Sequence, residues 1–272
     1  MQVEVNDKLL QSLLPQVIDI AWQAGKEILE TAEKCININC KKDNTPVTNA
    51  DLAANKLIVT CLSRLEGNFA IISEESESIA YSQRKLWQTY WLVDPLDGTR
   101  EFINNNGEYS VNIALIHKHK AILGVIYAPV HGLTYYAYHG LGAYKIDGLN
   151  KVQSIHVQTK RRNPIIVTCG NNQPGKDYED FIKRLGEVEF LAMGSSIKSC
   201  LVADGSADIY ARLGPTSEWD TAAAQCIVEE AGGYILDSNM KTLYYNTKDS
   251  LLNPNFLVFG DKKEDWGKYL SD

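Results

Sequence analysis

Residues 94–99 place two carboxylates three positions apart, Asp94 and Asp97, ahead of a glycine and the hydroxyl of Thr99. The apolar run 90–93 precedes them, which predicts that the segment lies where a β-strand meets a turn. Oxygen ligands this close together suit a hard cation such as Mg²⁺. A metal ion there would hold a phosphate and activate water. The alternative is an ordinary β-turn, because Asp-Pro and Asp-Gly are common turn dipeptides.

Three further acidic residues fall at predicted element boundaries: Asp51 in the first turn of a helix, Glu74 after a short strand, and Asp220 at the start of a late helix. Such boundaries are where α/β folds usually place ligands. Each also has a simpler interpretation. Asp51 would cap its helix, Glu74 would be a solvated loop charge, and Asp220 would complement a helix N-terminus. Spacing alone leaves open whether these groups converge.

Hydrophobic periodicity predicts the elements that must position these groups. In the first half it predicts helices at 7–34 and 48–66, joined by a loop at 41–46. Thr48 and Asp51 have capping-box spacing at the start of the second helix. The strands predicted in this half are 69–72, 90–93 and the antiparallel series 109–116, 121–128, 133–138 and 143–146.

The polar stretch 147–151 predicts a domain boundary, which divides the chain into an α+β half (residues 1–148) with most candidate ligands and an α/β half (residues 149–272). Strands and helices alternate after the boundary, and helices covering the faces of sheets give a layered fold. The predicted strands are 164–169, 188–192, 209–211, 234–236 and 256–259. The predicted helices are 178–185, 195–203 and 219–231.

The composition is that of a globular protein, with 272 residues, 44% apolar residues and a net charge of −7. No run approaches the roughly 20 apolar residues of a membrane span, and the N-terminus lacks the features of a signal peptide. The negative charge argues against nucleic-acid polymers as partners. The six cysteines form no Cys-x-x-Cys pair, which favours buried free thiols. We therefore expect a cytoplasmic protein.

Four segments together resemble the signature of the inositol monophosphatase superfamily: 46–51, 73–75, 94–99 and 219–223. They occur in the family's order, and the resemblance extends from the first helix to at least Pro254. Within the superfamily the chain resembles bacterial 3′(2′),5′-bisphosphate nucleotidases most. That closer resemblance is carried by residues 94–102, 107–116, 124–129, 194–198, 213–216 and 219–223. The resemblance implies a layered α-β-α-β-α sugar-phosphatase-like fold.

The resemblance also implies a site for two Mg²⁺ ions, with a third, weaker ion near Glu74. Asp94 would bridge the two principal ions. Asp97 and Asp220 would hold one of them, and Glu74 and the carbonyl oxygen of Leu96 the other. Such ions would orient the phosphate, stabilise the leaving oxygen and lower the pKa of the attacking water.

The resemblance assigns the water to Thr99 and Glu74, with Asp51 hydrogen-bonded towards Thr99 as a proton acceptor. Whether Asp51 or Glu74 is the base stays open. Gly98 and Thr99 would open a helix whose N–H groups meet the phosphate, where a side chain at Gly98 would crowd it. The metal ligands expected to face the substrate as well are Glu74, Leu96, Asp97 and Asp220.

Three residues of the second half bear on the choice of substrate. Ser195 and Lys198 lie three apart on one predicted helix and so would share a face, and Arg212 ends a predicted strand. Similar positions contact the nucleotide in bisphosphate nucleotidases, whereas inositol monophosphatases carry an acidic residue near position 212. The simpler alternatives are an exposed lysine and a surface ion pair.

The sequence thus predicts a Mg²⁺-dependent phosphomonoesterase that hydrolyses adenosine 3′,5′-bisphosphate to AMP and phosphate, recycling a by-product of sulfate assimilation. The same resemblance extends to the hydrolysis of 3′-phosphoadenosine 5′-phosphosulfate to adenosine 5′-phosphosulfate. An inositol or sugar monophosphatase and a catalytically silent metal-binding protein are the alternatives. The finer expectations are a homodimer and peripheral association with the cytoplasmic face of the inner membrane.

Overall fold

The helices and strands below come from a computed structural model, which describes residues 4–34, 36–41, 45–170, 175–261 and 263–270. The helices of these residues are α1 (Asp7–Lys34), α2 (Asn49–Leu62), α3 (Tyr81–Arg84), α4 (Thr99–Ile103), α5 (Lys176–Leu185), α6 (Ile197–Ala203), α7 (Glu218–Glu230) and a 3₁₀ turn (Trp266–Tyr269). Their strands are β1 (Ile38–Cys40), β2 (Pro46–Thr48), β3 (Ala70–Ser73), β4 (Thr89–Asp97), β5 (Ser110–His117), β6 (Lys120–Ala128), β7 (Leu133–Tyr138), β8 (Gly142–Ile146), β9 (Val152–Ile155), β10 (Ile165–Cys169), β11 (Val188–Ala192), β12 (Ile209–Arg212), β13 (Tyr234–Asp237) and β14 (Phe256–Phe259).

The larger sheet has seven strands in the order β3-β4-β5-β6-β7-β8-β9. β3 runs parallel to β4, and the remaining neighbours are antiparallel. Successive side chains of a strand point to opposite faces. Accordingly, Tyr90 and Leu92 enter one buried cluster, while Trp91 and Val93 enter another. The sheet is therefore buried on both faces.

The smaller sheet has five strands in the order β11-β10-β12-β14-β13. β10, β11 and β12 run parallel to one another, and β14 joins β12 and β13 in antiparallel pairs. A separate hairpin-like pair, β1 and β2, lies ahead of α2. Each of these strands has three residues and β1 is exposed, and the hydrophobic pattern did not predict them.

Three hydrophobic clusters define the layers. One packs α1 and α2 against the outer face of the larger sheet. Another places α6 and α7 between the two sheets, and the last covers the smaller sheet with α5 and the 3₁₀ turn. The resulting α-β-α-β-α order confirms the predicted fold.

The contact between α7 and β6 is unusually close. A Cβ atom at Gly124 would lie 2.3 Å from the carbonyl oxygen of Ala223, which real Cβ contacts essentially never reach. Only a glycine therefore lets α7 rest on the sheet at this point. Because Asp220 lies in the first turn of the same helix, the approach also sets the position of that carboxylate.

Most predicted elements are confirmed, and the main errors concern boundaries. The strand predicted at 90–93 continues through Asp97, so the two carboxylates lie within a strand rather than in a turn after it. Pairing with β5 extends this strand across a register shift between Asp94 and Asp97. The helix predicted at 195–203 begins only at Ile197. Residues 42–44 of the predicted loop lie outside the described residues.

Three further predictions concern the domain boundary, the cysteines and membrane-spanning helices. The division at residue 148 stays a prediction, although β9 pairs with β8 and so extends the larger sheet to Ile155. Buried thiols are found at Cys200 and Cys226, but Cys40 is exposed, so the prediction was wrong for Cys40. In the described residues no helix has both the length and the apolar character needed to cross a membrane.

Candidate metal centre and active site

Three carboxylates converge between the two sheets. One oxygen each from Glu74, Asp94 and Asp220 lies within 4.8 Å of the other two. Glu74 directly follows β3, Asp94 lies on β4, and Asp220 lies in the first turn of α7. The convergence joins residues that are 146 positions apart, from 74 to 220, and draws on both halves of the chain. Oxygen-only ligand sets of this kind suit Mg²⁺.

The electrostatics of this cluster call for a cation. Burial raises the pKa of Asp94 well above its ordinary value, and the negative charges of Glu74, Asp97 and Asp220 raise it further. Burial also raises the pKa of Asp220, followed by the charges of Asp97 and Glu74. Buried carboxylates with this much mutual repulsion are stable as anions only beside positive charge. The donor set therefore fits a divalent metal ion.

Asp97 lies beside this cluster and has its own hydrogen bonds. Its Oδ2 accepts from the backbone N–H and the hydroxyl of Ser196, both at 2.5 Å. The side-chain amide of Asn112 lies 3.4 Å from the same oxygen. One residue earlier, the backbone N–H of Leu96 donates to Asp94 Oδ1 at 3.0 Å. The strand backbone thus orients Asp94, and Ser196 holds Asp97.

Asp51 and Thr99 form a second part of the site. The hydroxyl of Thr99, the first residue of α4, donates to Asp51 Oδ1 at 3.1 Å. It also lies 3.4 Å from the carbonyl oxygen of Leu96, a predicted metal ligand. Gly98, which precedes α4, has φ +94°, a conformation that favours glycine. This conformation allows the chain to turn from β4 into α4.

Asp51 and Asp220 each complete a capping box at the start of a helix. Asp51 Oδ2 accepts from the backbone N–H of Thr48 at 2.8 Å, which completes a capping box. Asp220 Oδ2 accepts from the backbone N–H of Ser217 at 2.9 Å in the same way. The simpler interpretation of both residues as helix caps is thus true without excluding the site, because capping leaves Oδ1 of each carboxylate for other contacts.

Lys41 contacts the acidic cluster, and its role was not predicted. Its Nζ lies 2.7 Å from Glu74 Oε1 and 2.5 Å from Glu75 Oε1. Burial raises the pKa of Glu75 to about 7, against the opposing hydrogen bond of Lys41. The ammonium group supplies positive charge at the edge of the site, and the carboxylates raise the pKa of Lys41 in spite of its burial.

Of the predicted nucleotide contacts, Lys198 is buried and Arg212 is partly exposed. Lys198 is buried, with Nζ 5.4 Å from the centre of the Tyr210 ring, and burial lowers its pKa while Asp97 opposes the shift. Arg212 ends β12 and donates to Thr216 Oγ1 at 2.6 Å and to the Pro215 carbonyl at 2.8 Å.

Ser195 requires a correction. It precedes α6 with φ +50°, so it does not share a helix face with Lys198, as its spacing had predicted. Its hydroxyl instead accepts a long hydrogen bond from the backbone N–H of Ile197, at 3.4 Å. The error arose because a spacing of three places residues on one face only where both are helical.

Sequence analysis also missed contacts of Ser196 and Asn112. Both residues belong to segments that carry the family resemblance, 194–198 and 107–116, yet their side chains gave no chemical signal of their own. Asn112 lies in β5, a mostly apolar strand that is buried on both faces. A buried amide in such a strand needs polar partners, and this was the one available indication.

Comparisons with known proteins agree with this geometry. The model of the inositol monophosphatase family matches residues 9–265. The 3′(2′),5′-bisphosphate nucleotidase CysQ of Haemophilus influenzae is 40% identical over 260 residues, which cover 95% of this chain and 96% of that protein. The CysQ of Salmonella typhimurium is 42% identical over 248 residues, covering 90% and 99%.

Solved structures give the same result. The crystal structure of CysQ from Bacteroides thetaiotaomicron, described as a bacterial member of the inositol monophosphatase family, superposes with a TM-score of 0.82 and 38% identity over 93% of this chain and 98% of that one. The extragenic suppressor protein SuhB of Bartonella henselae has a TM-score of 0.80 and 25% identity over 96% and 99%. From its sequence and its fold, the chain belongs to the inositol monophosphatase family, a metal-dependent family of enzymes.

Proposed function

We propose that this chain is a Mg²⁺-dependent 3′(2′),5′-bisphosphate nucleotidase that hydrolyses adenosine 3′,5′-bisphosphate to AMP and phosphate. The observation that carries the proposal is the convergence of Glu74, Asp94 and Asp220 within 4.8 Å, in a chain that is 40–42% identical to CysQ nucleotidases over nearly its whole length. The sulfated analogue, 3′-phosphoadenosine 5′-phosphosulfate, carries the same 3′-phosphate and is proposed as a second substrate.

The metal ligands proposed are the carboxylates of Glu74, Asp94, Asp97 and Asp220, and the carbonyl oxygen of Leu96. We propose two principal ions and a weaker third ion near Glu74. When bound, Mg²⁺ supplies positive charge that binds the phosphate, offsets charge on the leaving oxygen and favours loss of a proton from water. Before it is bound, the ammonium of Lys41 supplies part of this charge beside Glu74.

The hydroxyl of Thr99 and the carboxylate of Asp51 are proposed to handle the proton of the attacking water. Thr99 Oγ1 donates to Asp51 Oδ1, so the hydroxyl oxygen is left to accept a hydrogen bond from water. As the water oxygen bonds to phosphorus, its proton passes to the hydroxyl and the hydroxyl proton to Asp51. The bond from phosphorus to the ribose oxygen breaks, and that oxygen takes up a proton from solvent, while Asp51 afterwards releases its proton to solvent.

Of the two candidate bases, contacts favour Asp51 over Glu74. Oε1 of Glu74 is paired with the ammonium of Lys41 at 2.7 Å, and Glu74 is also a proposed metal ligand, so its oxygens are already engaged. Asp51 is buried, and one oxygen caps α2 while the other meets Thr99. We propose that Glu74 positions the metal and the water.

The cations Lys198 and Arg212 are proposed to match the second phosphate of the nucleotide, with Ser195 beside them. Lys198 is near enough to Asp97 for the two charges to interact, which supports a cation beside the proposed metal ligands. A bisphosphate requires a second positive site of this kind, whereas the substrate of an inositol monophosphatase does not.

The test is a substrate panel with Mg²⁺. It compares phosphate release from adenosine 3′,5′-bisphosphate, its 5′-phosphosulfate analogue, inositol 1-phosphate and fructose 1,6-bisphosphate. The expected result is the highest kcat/KM for adenosine 3′,5′-bisphosphate. A preference for inositol 1-phosphate or a sugar phosphate would replace the proposal with a monophosphatase, and no release from any ester would identify a silent binding protein. Sedimentation and fractionation would test the homodimer and the cytoplasmic or membrane-associated location, which stay predictions.

A further inference from the structure

The hydroxyl of Ser196 lies where the two halves of the metal site meet. Its oxygen is 2.5 Å from Asp97 Oδ2, on β4, and 2.9 Å from the backbone carbonyl oxygen of Asp220, on α7. The backbone N–H of Ser196 donates to the same Oδ2 at 2.5 Å. One small, buried residue thus touches a proposed ligand from each half of the chain.

Asn112 fixes how that hydroxyl is used. Its Nδ2 donates to Ser196 Oγ at 2.7 Å, and its Oδ1 accepts from the hydroxyl of Ser110 at 3.1 Å, which sets the orientation of the amide. A serine hydroxyl has only one proton. Because Ser196 Oγ accepts a hydrogen bond from Asn112, its own proton points away from Asn112. There it is shared between the Asp97 carboxylate and the Asp220 carbonyl, and the charged carboxylate is the stronger acceptor.

We propose that Ser196 is a positioning residue of the metal site, which orients Asp97 and ties it to the backbone of Asp220. Two donors from Ser196 converge on Asp97 Oδ2, so Oδ1 is left to bind a metal ion. The contact with the Asp220 carbonyl fixes the first turn of α7 relative to β4. The inference rests on the proposed function only in so far as Asp97 and Asp220 bind Mg²⁺.

The direct test is calorimetric titration of the purified full-length protein with Mg²⁺ in the absence of substrate. Ser196→Ala keeps the backbone N–H but removes the hydroxyl. Loss of a hydrogen bond to a charged group weakens binding about 10- to 100-fold, so we expect Mg²⁺ affinity to fall by that factor. Ser196→Thr retains the hydroxyl and is expected to stay within about threefold of the parent.

The matched control is Ser199→Ala, which removes another buried serine hydroxyl from α6. It is expected to bind Mg²⁺ as the parent does. In activity assays, Ser196→Ala should need a higher Mg²⁺ concentration for half-maximal rate, and excess Mg²⁺ should restore much of kcat. A merely structural role would not produce this recovery. Parental Mg²⁺ affinity in Ser196→Ala, or an equal loss in Ser199→Ala, would overturn the proposal.

Asn112→Ala provides a second measurement if Ser196→Ala does not fold. It should weaken Mg²⁺ binding severalfold, because the Ser196 hydroxyl loses the donor that directs it; unchanged affinity would contradict the proposal. Where both variants fold, the loss of Mg²⁺ affinity in the double variant should be smaller than the two single losses combined, because part of the effect of Asn112 passes through Ser196. Since the titration uses no substrate, failure of the substrate panel would refute the proposed function without touching this result.

Discussion

Thr99 and Asp51 are joined by a hydrogen bond of 3.1 Å that links the start of α4 to the first turn of α2. The two residues are 48 positions apart along the chain. Asp51 is held by the backbone of Thr48, so its carboxylate is fixed before the substrate arrives. This arrangement gives the hydroxyl a fixed proton acceptor, as acid–base catalysis requires.

Removal of the Thr99 hydroxyl should therefore slow the chemical step. We expect Thr99→Ala and Asp51→Asn to lower kcat by about 10²- to 10⁴-fold, the usual contribution of a positioned acid or base. Mg²⁺ binding by Thr99→Ala, measured by calorimetry, should be nearly parental. Thr60→Ala, an exposed position on α2, is the control and should have parental kcat. If Asp51→Asn kept kcat within tenfold, Glu74 would be the better candidate for the base.

Metal removal should abolish activity and lower stability. Chelation by EDTA is expected to eliminate phosphate release, and each Mg²⁺ ion present at 100 times the Kd of its site should stabilise the folded protein by about 2.7 kcal/mol in thermal unfolding. Asp94→Asn should lose both effects. It should also make the metal-free protein more stable than the metal-free parent, because it removes one of several mutually repelling buried carboxylates. An Asp94→Asn variant that is less stable than the parent in EDTA would contradict this account.

The charge of Lys198 should matter for the nucleotide and not for simpler phosphates. Lys198→Met keeps an unbranched apolar side chain beside Tyr210 and removes the ammonium. Its KM for adenosine 3′,5′-bisphosphate is expected to rise about 10- to 100-fold, the range for a lost charged hydrogen bond. Turnover of inositol 1-phosphate should change little. Lys183→Met, on the exposed face of α5, is the control. Equal effects on both substrates would remove the argument for a second phosphate site.

Gly124 offers a test of how packing positions the metal ligands. In Gly124→Ala the new methyl group would lie 2.3 Å from the Ala223 carbonyl oxygen, so α7 must shift away from the sheet. Overpacking of this kind costs about 1–3 kcal/mol of unfolding free energy. Because Asp220 moves with α7, Mg²⁺ affinity should fall too. Gly148→Ala, whose Cβ would lie at an ordinary contact distance of 4.0 Å from the His131 carbonyl oxygen, should change stability by less than about 0.5 kcal/mol. A parental Mg²⁺ affinity in Gly124→Ala would show that the packing of α7 on the sheet does not position Asp220 for metal binding.

Sequence patterns predicted the parts of the fold that depend on local periodicity. The helix Asp7–Lys34 follows from apolar residues at helical spacing. The strands from β5 to β8 follow from short apolar runs bounded by turns. The continuation of β4 through Asp97 could not be predicted in this way. Its turn-forming dipeptides favour a bend, and only pairing with Asn112 and Ser110 on β5 keeps it extended.

In the candidate site, too, features with a local sequence signal were predicted and contacts between distant residues were not. Carboxylates at element boundaries were identifiable from residue type and resemblance, and capping-box spacing placed Asp51 and Thr48 correctly. The contacts of Lys41 with Glu74 and of Ser196 with Asp97 were not predicted. These pairs are 33 and 99 positions apart, and a lysine or serine carries no spacing signal across such distances.

Asp208 should make stability depend on pH at a position remote from the metal site. This buried residue precedes β12, and its Oδ2 accepts from the backbone N–H of Ile166 at 2.7 Å. Its Oδ1 lies 3.7 Å from Arg162 Nε. Burial raises the pKa of Asp208, although Ile166 and Arg162 act in the opposite direction. Proton binding is then stronger in the folded state than in the unfolded state.

The sign of the effect follows from that difference. A raised pKa in the folded state gives stability that is present at low pH and is lost as pH rises through the folded-state pKa. Asp208→Asn has no charge to gain, so the unfolding free energy of the parent minus that of the variant should decrease as pH rises from the ordinary Asp pKa of 3.8 through the raised pKa of the folded state. Urea unfolding in EDTA at several pH values measures this difference. Asp19→Asn, exposed on α1, is the control and should change the unfolding free energy by less than about 0.5 kcal/mol. A difference for Asp208→Asn that grows with pH would mean that Arg162 outweighs burial at this site.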